Sequence, residues 1–357
     1  MSPRSFAILA LATAASVALA VSAISQREAP SRVAVTGSAL FPDLLDHFND
    51  IRTIRIATPE GTFTVNATDK GWSLAEKAGY PVEATQVRNL ALAVANLQLV
   101  EAKTADPERL RRLELEDPGG DSSKSRLVEI LGANGAAIAA AVVGKASSSV
   151  YGGGRGGAYV RRAGDNQAWL AAGELDLPSD GLDLLGREII DLPLSQVSRV
   201  TLQPPKGSAL TLARPDGKAE FATDAALPEG RKLDPVKVES LAGALAGFAM
   251  SDVRPASEMP APPDAPRGRF ETFDGLGVDI TLIRQGEGDA AQTWVTLRPS
   301  VGTEAPAGEE GKEDEPADRA AKIAARTDGW VFQIPAYMAD RLDDGVDQLL
   351  ADPPSAS

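Results

Sequence analysis

Ile54-Arg55-Ile56-Ala57-Thr58-Pro59-Glu60-Gly61-Thr62-Phe63-Thr64-Val65 reads as a β-hairpin. Ile54 and Ile56 alternate with polar neighbours, Pro59-Glu60-Gly61 turns the chain, and Phe63 and Val65 resume the period of two. Gly71-Trp72-Ser73-Leu74 continues as a third strand. From Glu83 the period changes: Val87, Leu90, Val94 and Leu97 share one helical face while Arg88, Asn89 and Gln98 fall elsewhere, as in a helix laid over a sheet.

The same series returns about 150 residues later, too long a period for a solenoid, which points to duplication of a whole domain. Val200-Thr201-Leu202, the Pro205-Lys206-Gly207 turn, Leu210 and Leu212, and Ala219-Glu220-Phe221-Ala222 mirror the strands. Val238, Leu241, Leu245 and Phe248 mirror the stripe, and here Asp234 caps a helix with Pro235 in its first turn. A Pro-containing connector follows each helix, Ala105 to Lys124 and Pro255 to Gly268. Arg126–Leu131 and Ile138–Val143 then form a hairpin around Asn134-Gly135, matched by Arg269–Phe273 and Val278–Ile283 around Asp274-Gly275. Tyr159-Val160 and Trp169-Leu170 match Trp294-Val295 and Trp330-Val331. Each copy thus predicts three strands, a helix and about four strands, an α+β layer.

Outward from the repeats, Phe6 to Ile24 carries no charge, follows Arg4, and is long enough to cross a hydrocarbon core. It is expected either to remain as a signal anchor or to be cleaved near Val21-Ser22-Ala23, and both outcomes export the rest. The expected organisation is a membrane or signal segment at 1–25, a spacer and short helix (Leu40 to Phe48) at 26–48, and repeats at 49–180 and 181–350. Leu182 to Leu194 is expected to form a short helix between the copies. Tyr337, Met338, Leu342, Val346 and Leu349 are expected to line a closing helix before a disordered tail at 351–357. Gly302 to Arg326, with its Glu309-Glu310-Gly311-Lys312-Glu313-Asp314-Glu315 run, reads as a solvated, disordered insert.

Composition narrows the chemistry. The 357 residues hold no cysteine, which excludes disulfides, thiolate nucleophiles and Cys-ligated metals. A net charge of -14 disfavours nucleic acid and anionic lipid as ligands for the bulk of the chain. His47 is the one histidine, and a surface or packing role outweighs catalysis. The glycine-rich run around Arg155 lacks the Gly-Lys-Ser/Thr ending of a phosphate loop and reads as a hairpin tip. Glu114, Glu116 and Asp117 read as a solvated connector, and the acidic insert lacks calcium-loop spacing. Trp72, Trp169, Trp294 and Trp330 read as core anchors before a sugar-stacking platform. No catalytic, metal or cofactor site is assigned, and no cofactor is expected.

The order Trp72-Ser73-Leu74, Tyr80-Pro81-Val82 opening a helix to Leu97, Val143-Gly144-Lys145, Tyr159-Val160-Arg161 and Leu185-Gly186-Arg187-Glu188-Ile189-Ile190-Asp191-Leu192 resembles the domain of unknown function 4340 family. The resemblance implies a membrane-anchored envelope protein, of a kind commonly encoded beside ABC-type transport components and a gliding-motility-type auxiliary protein, and it brings no catalytic residues. The function expected is therefore a non-enzymatic periplasmic accessory protein, single-pass in the inner membrane and partnered by a membrane or periplasmic component of an ABC-type transporter. The alternative is a periplasmic glycan or ligand-binding module using the cleft between the repeats, soluble if the signal is cleaved.

Overall fold

The computed structural model describes residues 37–120, 122–150, 155–205, 208–227, 229, 231–288, 291–302, 315–342 and 348–351. The expected membrane segment, the glycine-rich tip Tyr151–Gly154, the acidic run Glu309–Asp314 and the tail from Pro353 lie outside the described residues. Among the described residues no helix is long and apolar enough to cross a membrane. The fold is α+β, mostly antiparallel sheet with few helices. The described residues divide into two compact units, one comprising 37–63 with Thr85–Ser179, the other Thr64–Ala84 with the described residues from Asp180 on.

In the first unit, β1 (Thr53–Thr58) buries Ile54, Ile56 and Thr58 in turn, and β2 (Gly61–Thr68) starts beside it. The chain leaves this unit within β2 and makes β3 (Gly71–Leu74) and β4 (Tyr80–Val82), which belong to the second. It returns through α1 (Ala84–Ala95), whose Val87, Leu90, Ala91 and Val94 are buried, as the stripe predicts. Then come β5 (Gln98–Ala102), the one-turn α2 (Pro107–Leu110), β6 (Arg126–Leu131), β7 (Ala137–Val150), β8 (Arg155–Arg162) and β9 (Trp169–Ala172). Asn134 and Gly135 turn β6 into β7 with φ of 60° and 74°, the left-handed pair that an Asn-Gly hairpin needs. The strand order is β2-β1-β6-β7-β8-β9-β5.

In the second unit, β2, β3 and β4 pair antiparallel. A two-stranded piece joins β10 (Glu188–Ile190) to a strand after the next helix. β11 (Val197–Gln203) and β12 (Leu210–Ala213) lead to α3 (Pro235–Ala242), where the Asp234 carboxylate accepts from the amides of Val236 and Lys237. β13 (Phe248–Ala249), β14 (Asp252–Pro255), β15 (Arg267–Thr272), β16 (Leu276–Gln285), β17 (Gln292–Val301), α4 (Pro316–Thr327), β18 (Trp330–Ile334) and α5 (Ala336–Leu342) complete it. The main sheet runs β12-β11-β15-β16-β17-β18-β14. Position by position this is the first unit's order, with β5 answered by β14 at the far edge. Val238 and Leu241 are buried on α3, but that helix ends at Ala242, so Leu245 and Phe248, also buried, lie beyond it, Phe248 on β13; likewise Val87, Leu90 and Val94 are buried on α1 and Leu97 just past its end.

Five local readings change. Leu40 to Phe48 is a chain of turns ending in a 3-10 turn at Phe48–Asp50, pinned because Leu40 and Leu44 are buried and the Arg162 guanidinium donates to the Leu40 carbonyl. Tyr80-Pro81-Val82 is strand β4, not a helix start; Pro81 sits opposite Ser73 on a short strand that tolerates its missing N–H. Leu182 to Leu194 is a 3-10 turn at Gly181–Leu184 followed by β10, since pairing with β13 satisfies the backbone that a helix would have served. The expected third strand of the second copy reduces to one bridge, Ala213 to Ala222. The second half of the supposed disordered insert is α4. Only Thr327 of α4 is buried, so polar anchors hold it: Arg319 reaches Asp274 and Gln196, and Arg326 donates to the carbonyls of Gly186 and Glu188. β5 and β14, short strands flanked by polar residues, carry too little alternation to be read in advance.

Candidate functional site

Equivalent lattice positions of the two sheets carry opposite chemistry on the face turned away from α1 or α3. In the first unit Ala57, Leu127, Val142 and Arg161 stand side by side across β1, β6, β7 and β8. In the second Gln203, Arg267, Thr281 and Thr296 take the same places across β11, β15, β16 and β17. Two residues further along, β7 has Gly144 and β16 has Ile283.

The first face is closed. A Cβ on Gly144 would lie 2.1 Å from the Leu113 carbonyl oxygen and 2.7 Å from that of Glu114, so the connector backbone rests directly on the strand. Leu110, Leu113 and Leu115 pack there with Leu127, Val142, Tyr159 and Ala168. Arg161, 3% exposed, fastens the cover: its Nε donates to the Leu115 carbonyl at 2.7 Å, one Nη to that of Asp165, and the other pairs with Asp117. Burying a guanidinium is tolerable because these acceptors are charged or strongly dipolar.

The second face is open. Ile283 packs with Trp294, Val331 and, from the connector, Met259. A cavity of about 610 Å³ remains, floored by Thr201, Gln203, Arg267, Arg269, Asp279, Thr281, Thr296 and Arg298 and walled by Ala256, Met259, Pro260 and Ala261. Arg269 is occupied: it binds Asp279 at 2.8 Å, Glu271 at 3.0 Å and the Ser300 hydroxyl at 3.3 Å. Arg267 and Arg298 are exposed and have no hydrogen-bond or ion-pair partner among the described residues. By contrast, Arg319 and Arg326, beside a smaller cavity of about 240 Å³ under α4, are spent on anchoring that helix.

The residues weighed from the sequence fall elsewhere. His47 is exposed, and its hydrogen bond to Asp50 at 3.0 Å raises its pKa above the ordinary imidazole value. Arg155, Gly156 and Gly157 open strand β8. Glu114 adopts a left-handed conformation ending the turn after α2, Asp117 serves Arg161, and Glu116 buries one carboxylate oxygen without a partner. Trp294 is wholly buried beneath the Arg254 guanidinium at 4.6 Å, and Trp72, Trp169 and Trp330 are half-buried. Among the described residues no group of three or more His, Asp or Glu could hold a metal. Sequence reasoning missed Arg267 and Arg298 because outward polar residues on a strand are ordinary; only their register across three strands gathers them.

A family model described as domain of unknown function (DUF4340) matches residues 72–266, more than half of the chain. The chain belongs to the DUF4340 family. No curated protein and no solved structure matches it. The DUF4340 match runs from β3 through α1 and α3 to the residue before β15, so it includes Leu127, Val142 and Arg161 of the closed face and stops just short of Arg267. The arginines of the open face lie beyond the part of the chain on which DUF4340 membership rests.

Proposed function

We propose that this DUF4340 protein is a non-enzymatic accessory protein of the bacterial envelope. In this reading the N-terminal segment holds it at the inner membrane, the bulk of the chain lies in the periplasm, and it docks on an ABC-type transporter or that transporter's extracytoplasmic partner. We also read the chain as two tandem copies of one sheet covered by one helix, at 49–180 and 181–350. The observation that supports a scaffold is the shared strand order with divergent outer faces, one sealed by its connector and one left open. Several of the described arginines and carboxylates fasten strands, connectors and helices to one another, which suits a protein that holds and presents. The test is affinity purification of the full chain from membranes at native expression, followed by mass spectrometry. Stoichiometric recovery of a transporter component is expected, and repeated recovery of the chain alone would remove the accessory role.

The open face favours a second reading, a periplasmic glycan or ligand-binding module whose ligand sits on the sheet of the second unit. A cavity of this size falls within the range of roughly 300–1,000 Å³ that accommodates small ligands. Saturable binding of any small saccharide or metabolite by the purified full chain would support it.

A further inference from the structure

We propose that the open face of the second unit binds an oxyanion, a phosphate or carboxylate carried on a sugar-sized molecule, between Arg267 and Arg298. The inference deepens the ligand-binding reading and rests on it. Arg267 lies on β15 and Arg298 on β17, with β16 between them, and the register sets them two strands and two residues apart. That separation is about 12 Å between Cα atoms from standard strand spacing and rise, close enough for two long guanidinium side chains to converge on one group. On β16 between them stand Thr281, opposite Thr296, whose hydroxyls donate or accept, and Asp279, opposite Arg298, whose carboxylate is bound by Arg269 at 2.8 Å. Met259, Pro260 and Ala261 supply an apolar wall for the body of the molecule.

Charge decides the class. The lining holds Arg267, Arg269 and Arg298 against Asp279 alone, and Asp279 is engaged by Arg269. The cavity is therefore locally cationic in a chain whose net charge is -14. The global charge acts at a distance and is screened within about 8 Å at physiological ionic strength, whereas two guanidinium groups in contact with a ligand are not. A planar guanidinium also matches the paired oxygens of phosphate and carboxylate.

The full chain, purified in detergent, would be titrated by calorimetry with inorganic phosphate, glucose 6-phosphate, glucuronate, glycerol phosphate, and neutral glucose and maltotriose. Saturable binding is expected for at least one anionic probe and for neither neutral sugar. Preference for glycerol phosphate would indicate a lipid headgroup as the source, and preference for glucose 6-phosphate or glucuronate a soluble sugar acid. Arg267→Gln and Arg298→Gln should each weaken binding about tenfold, the loss expected for one charge-assisted contact. Both positions are exposed, so thermal unfolding should be unchanged. If either variant fails to fold, Arg267→Lys and Arg298→Lys keep the charge and should bind with intermediate affinity. Raising ionic strength to about 1 M, where the screening length is about 3 Å, should weaken the anion further. Failure of every anionic probe to bind, or binding indifferent to the double Gln variant, would overturn the proposal. Binding of maltotriose unaffected by the Arg substitutions would also overturn it while leaving the ligand-binding reading standing.

Discussion

Gly144 and Ile283 hold corresponding places in their sheets, the first with a hydrogen beneath the connector backbone and the second with a branched side chain packed against Met259. At Gly144 the Leu113–Glu114 backbone occupies the space a side chain would need. Gly144→Ala should therefore push the connector outward and cost about 1–3 kcal/mol, as overpacking does. Urea unfolding of the variant measures this, and an unchanged midpoint would show that the connector yields freely. Neither the closeness at Gly144 nor the pairing of Arg161 with Asp117 could be read from the chain. Both depend on a segment of some twenty residues folding back onto strands that follow it, and sequence spacing is silent about that return.

At the scale of elements, α4 and β4 are held by few but specific contacts. The Arg326 guanidinium donates to the Gly186 carbonyl at 3.1 Å and that of Glu188 at 2.7 Å, tying α4 to β10. Arg326→Ala leaves these acceptors to water and should cost about 2 kcal/mol, in the range for charged hydrogen bonds. If the variant melts like the parent, α4 is fastened some other way. β4 contributes Tyr80, 2% exposed, with Trp330 edge-on at 4.9 Å and Phe332 at 6.0 Å. Burial raises the phenol pKa above its ordinary value, although the Arg326 charge opposes the shift. The folded chain then keeps a proton that the unfolded chain releases, so this stabilisation is complete below about pH 10 and falls as pH rises above it. Tyr80→Phe should flatten the alkaline decline in unfolding free energy, and an identical decline in the variant would assign it to other groups. The helix stripes and the paired hairpins were legible because neighbouring residues encode a period. α4 was not, since a helix held by arginine and carbonyl contacts looks, in composition, like a solvated loop.

For the whole molecule, the partition by sequence repeat and the partition by packing differ at Thr64–Ala84. By the repeat, this stretch follows β1 in the first copy; by compactness it belongs with the second unit. There Tyr80 supports Trp330 and Phe332, and Lys77 pairs with Asp252. A chain starting at Asp180 would lose these partners. Truncating a buried aromatic costs about 3–5 kcal/mol, which in a unit of this size corresponds to a melting temperature lower by roughly 10 °C. Fusing Thr64–Ala84 back onto that chain should restore the difference. Equal melting of the two forms would show that the second unit is complete without the stretch.

The sequence by itself determined the α+β class of the fold, the starts of the helix faces and the two hairpin turns, because each is a matter of residues a few positions apart. It also carried the family likeness. Only the tertiary structure decided that Leu127, Val142 and Arg161 lie under a cover while Arg267, Thr281 and Thr296 lie in the open, and that Arg267 and Arg298 face one cavity. Those facts live in the register between strands far apart in the chain and in the path of a connector. Adjacent residues constrain their own dihedrals, but which strand becomes a neighbour is settled by burial of the whole core.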